Sequence, residues 1–166
     1  MKIADLSGEL NLRNLALLSA VVCGSLLGIL ITESRFSSAI VLGVIVGVAV
    51  TGKINQFNLI AGVAVTFLTA VILGFVMPSI WLLAIVAFFA FIDEVLHDQF
   101  AGKSFPFTSF FSYRCCLKLT MLILAILALL PPIYPVGFLA FDLTYDITPL
   151  IFSRLGVMPR LKKFGG

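Results

Sequence analysis

Asp93, Glu94, His97 and Asp98 crowd into the stretch FIDEVLHDQF, Phe91 to Phe100. Carboxylates and an imidazole at this density supply two kinds of chemistry. They can hold a divalent cation, and a histidine beside a carboxylate can move a proton near neutral pH. Spacing sharpens the reading, because residues four apart stack on one helical face, as Asp93 and His97 do, and as Asp142 and Asp146 do later in the chain. Glu94 and Asp98 make a second stripe about 100° around the same helix. Two bases, Arg114 and Lys118, are also one turn apart and suit phosphate oxygens. The expected site therefore has Asp93, Glu94, His97, Asp98, Asp142 and Asp146 as metal ligands, His97 with Asp93 as the catalytic acid–base pair, and Arg114 with Lys118 as phosphate contacts. Five acids, Asp93, Glu94, Asp98, Asp142 and Asp146, against these two bases leave an excess of negative charge with His97 neutral. Either some carboxylates are protonated or a cation balances them. Carboxylates with water suit Mg²⁺ or Mn²⁺ first, with Ca²⁺, or Zn²⁺ through His97, as alternatives.

The elements that must position these residues are themselves apolar. Of 166 residues 61% are hydrophobic and 11% charged, and the mean hydropathy is +1.17, far from the composition of soluble globular domains. Apolar runs recur along the whole length, each about long enough for a hydrocarbon layer of about 30 Å. The expected fold class is an all-α, polytopic membrane helical bundle forming a single domain over residues 1–166. Its six spans lie near 14–32, 36–52, 57–77, 80–98, 115–131 and 136–153. Glu33 and Arg35, Gly52-Lys53, Pro78-Ser79 and the prolines Pro131, Pro132 and Pro135 interrupt the apolar runs. The segment MKIADLSGELNLR precedes a first run without a small-residue cleavage site, so a removed signal peptide is not expected. Cys23, Cys115 and Cys116 form no Cys-x-x-Cys pair and read as buried hydrophobes rather than a zinc or disulfide framework.

Six spans put both termini on one side. Lys2, Arg13, Lys53, Lys103, Arg114, Lys118, Arg154, Arg160, Lys162 and Lys163 then share that side, with Arg35 alone opposite. By the positive-inside rule the chain is a multi-pass cell-membrane protein with both termini cytoplasmic. Its net charge of +3 needs no nucleic-acid partner, because cations at membrane edges meet anionic lipid head groups. Gly24 with Gly28 and Gly43 with Gly47 permit close helix approach, expected as internal packing, with a homo-oligomer through those faces as the other use. The aromatic segment from Gln99 to Tyr113 is too short and broken to cross, and reads as an interfacial anchor or a lid over the acidic site.

A charge in lipid costs at least about 2.5–3.5 kcal/mol, so acids within spans normally have a task. At about 1.5 Å per residue, Asp93 is expected roughly 7 Å inside the cytoplasmic boundary and Asp146 about 10–12 Å inside. An enzyme or binder with a divalent metal, acting on a phosphate-bearing lipid such as a polyprenyl phosphate or phospholipid head group, accounts for acids and bases gathered on one side. A cation or proton transporter using the same acids is the alternative, and a structural or assembly subunit the third reading. The acidic cluster followed by Asp142-x-x-x-Asp146 loosely resembles the intramembrane prenyltransferases of the UbiA type. Their Asn-Asp-x-x-Asp-x-x-x-Asp pattern is not reproduced at Asp93 to Asp98 and the spans are fewer, so no membership follows. Gly-x-Ser-x-Gly, His-Glu-x-x-His and phosphate-loop motifs are absent from the sequence, which removes those hydrolase, zinc-protease and nucleotide-binding readings.

Overall fold

The computed structural model describes residues 13–52, 57–100 and 115–154; for Arg13, Leu15, Tyr145, Asp146 and residues 148–154 it describes the backbone alone. The described residues form six helices and no strand: α1 Arg13–Glu33, α2 Arg35–Val50, α3 Phe57–Leu73, α4 Ile80–Phe100, α5 Cys115–Ile126 and α6 Ile133–Arg154. Among them, α4 and the Ala16–Glu33 part of α1 are long and apolar enough to cross a membrane, while the other helices are apolar but shorter over their described residues.

Helix ends follow local chemistry more closely than hydropathy. Between α1 and α2 a single residue, Ser34, suffices as a break, because its hydroxyl accepts from the Ser37 amide at 3.1 Å and caps the new helix. The third helix stops at Leu73 rather than near 77, for Gly74 takes φ +106° although Phe75 to Met77 are apolar. The fifth stops at Ile126 rather than near 131. Ala128 there sits at φ 55°, and the amides of Ala128 and Leu129 bond back to the carbonyls of Ala125 and Leu124, which is a Schellman closure with alanine in the glycine position. The sixth begins at Ile133 rather than 136, since Pro135 falls in the first turn, where no helical amide is required.

Tertiary packing is organised by the four glycines singled out in the sequence. α1 packs chiefly on α3 and α2 on α4, and α5 joins α4 to α6. Gly24 lies against Gly62 and Val65, and Gly28 against Thr66 and Thr69, so one turn forward on α1 meets one turn forward on α3 and the two helices run parallel. The same register links Gly43 to Leu83 and Val86, and Gly47 to Ala87 and Ala90, making α2 and α4 a second parallel pair. Each glycine faces a backbone carbonyl of the neighbouring helix, an approach that only a hydrogen in place of Cβ permits. The Gly24/Gly28 and Gly43/Gly47 faces are thus occupied within one chain.

Three turns meet at one end of the bundle, here the closed end. The Ser34 and Tyr134 hydroxyls lie 2.8 Å apart, Ser38 donates to the Val76 carbonyl at 2.9 Å, and the Ser79 amide donates to the Arg35 carbonyl at 3.2 Å. The rings of Phe36 and Tyr134 meet there at a tilt of 51°, with 5.8 Å between centroids. A dry cluster of Ile40, Leu82, Val86, Met121, Leu124 and Leu130, with Phe36 and Phe138 packed against it, fills the bundle below. The surface reverses the usual pattern of a soluble domain. Small and polar side chains such as Ala20, Ser38, Thr66 and Ala70 are buried, while Leu18, Ile72, Ile80, Ile126 and Ile133 stand outward.

Candidate functional site

The end of the bundle opposite the closed end carries the polar side chains, and α4 supplies the first of them. Ile80–Phe100 is a 21-residue helix whose buried stripe runs Leu82, Val86, Ala90, then Asp93 and Glu94. Asp93 therefore extends the face that packs against α2 and α5, and it is only 3% exposed, as is Glu94. With α4 extending to Phe100, Asp93 lies about 10 Å from the helix end.

The start of α5 explains why a buried carboxylate is tolerated at this depth. Its first amides have no partner inside the helix, and the residue before Cys115 is Arg114, whose side chain offers no acceptor. Asp93 fills that role from a neighbouring helix. Its Oδ1 accepts from the Cys116 amide at 3.0 Å and its Oδ2 from the Leu117 amide at 2.7 Å. Both oxygens face the positive end of the α5 dipole, which favours a carboxylate there. The sequence offers Arg114 and Lys118 as partners for the acids, whereas the partners of Asp93 are backbone amides. The one available signal was the missing cap at the start of α5.

Lys118 and Asp142 form the second polar contact. Their Nζ and Oδ2 are 2.5 Å apart, and each side chain is about one-fifth exposed, at 21% and 20%. Lys118 is the fourth residue of α5, about 5 Å from its start, and it meets Asp142 partway along α6, about 14 Å from Ile133 and about 18 Å from Arg154. The lysine expected to contact phosphate is thus already matched to a carboxylate expected to hold metal. His97, one turn beyond Asp93, is half-buried, and its buried Nδ1 has no hydrogen-bond partner among the described residues. Asp98 is exposed at the end of α4.

The structure therefore brings Asp93 to the start of α5 and Asp142 to Lys118. Among the described residues no group of three or more His, Cys, Asp or Glu side chains is arranged to hold a metal ion. Arg114, the Asp146 side chain and residues 101–114 of the aromatic segment lie outside the described residues. Cys115 and Cys116, the first residues of α5, are half-buried and form no disulfide among the described residues. Comparison of the chain with protein-family models, with curated proteins and with solved structures gave no match.

Proposed function

We propose that the chain is a multi-pass membrane protein, with both termini on the cytoplasmic side, that binds a phosphate-bearing lipid head group at the polar end of α4, α5 and α6. The observation that carries this reading is the one-sided polarity of the bundle. Asp93, Glu94, His97 and Lys118 gather toward one end, with Asp142 paired to Lys118, whereas at the closed end Glu33 and Arg35 are exposed at a helix corner and the inward contacts are neutral hydroxyls and aromatic rings around an apolar core. A permeation path needs polar groups through both halves, so this asymmetry argues for a site entered from one leaflet. The outward Leu, Ile and Phe side chains suit hydrocarbon, and with small and polar residues inside they support the membrane placement. Lys118 is the phosphate contact in this reading. A phosphate oxygen would exchange for Asp142 on the ammonium, and the Asp142 carboxylate so released would be a ligand available to a divalent cation, which would supply further positive charge for the phosphate.

A second reading, a structural or assembly subunit, is favoured by one specific observation: both Asp93 and Asp142 already have partners within the chain. Thermal unfolding of the purified protein in detergent separates the two. With phosphatidic acid or a polyprenyl phosphate added, alone and with Mg²⁺, Mn²⁺, Ca²⁺ or Zn²⁺, head-group binding raises the unfolding temperature over a phosphatidylcholine control. Substituting Lys118→Met abolishes that rise. The lipid-site reading is lost if neither lipid nor metal shifts the wild type, or if Lys118→Met responds as the wild type does.

A further inference from the structure

Resting on the head-group reading above, we propose that Asp93 is the positioning residue of that site. It acts through Lys118, whose place it sets by holding the first turn of α5 from α4. The amides that Asp93 accepts from, Cys116 at 3.0 Å and Leu117 at 2.7 Å, belong to the second and third residues of α5. These are the amides that the side chain just before a helix normally satisfies. Here the acceptor comes from a different helix, so the same two bonds that cap α5 also tie it to α4. Lys118 is the next residue along, and the tie therefore ends one peptide unit short of the phosphate contact.

The anchor is stiff at its own end. Asp93 continues the buried stripe of Leu82, Val86 and Ala90 on α4, and its short side chain is fixed once each carboxylate oxygen has its own amide. The rest of α5 holds its first turn less firmly. Of the buried residues Leu117, Thr120, Met121 and Leu124, only Leu117 lies among the first four. Thr120 donates to the Cys116 carbonyl at 2.9 Å, a bond inside α5 that ties it to no neighbour. A terminal turn whose amides lose their acceptors opens readily, and Lys118 is part of that turn. With the turn closed, Leu117 faces the core and Lys118, about 100° around the helix, meets Asp142 of α6. A cation held in place binds phosphate more tightly than one that must first be ordered. A cap that served stability alone would leave the affinity of the folded protein unchanged, whereas a positioning residue alters it.

Two measurements on the purified full-length chain in detergent test this role. The first is equilibrium binding of a fluorescent phosphatidic acid, against a phosphatidylcholine control. The second, without lipid, is the ¹H–¹⁵N resonance of the Lys118 ammonium, identified by its loss in Lys118→Met. Asp93→Asn is the principal variant, and Asp93→Ser, smaller and likewise with one acceptor, is its companion, so that one misfolded protein does not end the test. Gly28→Ala, crowded against Thr66 and Thr69 of α3, is the control for lost stability far from the site. Both Asp93 variants are expected to bind phosphatidic acid about tenfold more weakly, the usual scale for losing the support behind a binding group. Their Lys118 resonance broadens by exchange with water as the contact with Asp142 loosens, while Gly28→Ala keeps the affinity and resonance of the wild type. The positioning role is overturned if the Asp93 variants bind as the wild type does, if the Lys118 resonance is unmoved, or if Gly28→Ala loses as much affinity. In each of those cases the head-group reading stands. If the wild type itself binds phosphatidic acid no better than phosphatidylcholine, that reading fails, and the role of Asp93 with it.

Discussion

Asp93→Ala is the substitution whose cost follows most directly from the geometry. The carboxylate is 3% exposed and accepts from the Cys116 and Leu117 amides at 3.0 and 2.7 Å. Truncation leaves one buried and one part-buried N–H group without their acceptor, at about 1–3 kcal/mol for the buried one and less for the other. It also removes the charge facing the α5 N-terminus, worth up to about 2 kcal/mol when partly buried. Some relaxation and water entry offset this, so the expected loss is about 3–5 kcal/mol, a large part of a typical folding stability of about 5–15 kcal/mol. Asp93→Asn keeps one carbonyl oxygen as an acceptor, but its NH₂ faces the second amide, so about half that loss is expected. Reversible unfolding of wild type, Asn and Ala variants in one detergent, followed by Trp81 fluorescence and by far-UV circular dichroism, gives the ranking. The cap argument is refuted if the alanine variant is as stable as the wild type, or if asparagine costs as much as alanine.

The glycine contacts predict a sharp contrast. A Cβ at Gly28 falls 2.6 Å from Thr69 Cβ and 2.7 Å from the Thr66 carbonyl, whereas one at Gly137 meets nothing within 4 Å. Thermal unfolding is expected to show Gly28→Ala destabilised by about 1–3 kcal/mol through overpacking, and Gly137→Ala unchanged or stabilised by about 0.5–1 kcal/mol. Ala128 occupies φ 55° at the end of α5, so Ala128→Gly relieves left-handed strain and raises stability by about 1 kcal/mol in the same assay.

Much of the architecture was legible because the signals are local. The Ser34 cap, the prolines and the apolar runs place the six helices, and the start of α2 follows from residues within one turn of it. Two of the boundaries that moved, at Leu73 and Ile126, lie within apolar stretches, where hydropathy runs on but φ at Gly74 and Ala128 turns positive. The acidic residues were legible as unusual, and Asp93 is as deeply buried as its place on the α4 face implies. Their partners were not legible. A backbone amide has no letter of its own, so nothing in the string DEVLHD shows that Asp93 caps a helix more than twenty residues away.

The sequence by itself determined an apolar helical chain, with its charges toward one end of the later helices and its close-packing glycines at four-residue spacing. Composition and periodicity are properties of neighbouring residues, and no tertiary contact is needed to read them. Only the tertiary structure decided what each polar group meets. Parallel packing of α1 on α3 and α2 on α4 consumes the glycine faces inside the chain. The placement of α5 against α4 turns Asp93 into a cap, and the placement of α6 against α5 sets Asp142 on Lys118. A carboxylate is a ligand, a cap or an ion-pair partner according to what lies within about 3 Å of it, and that distance is set by the packing of whole helices.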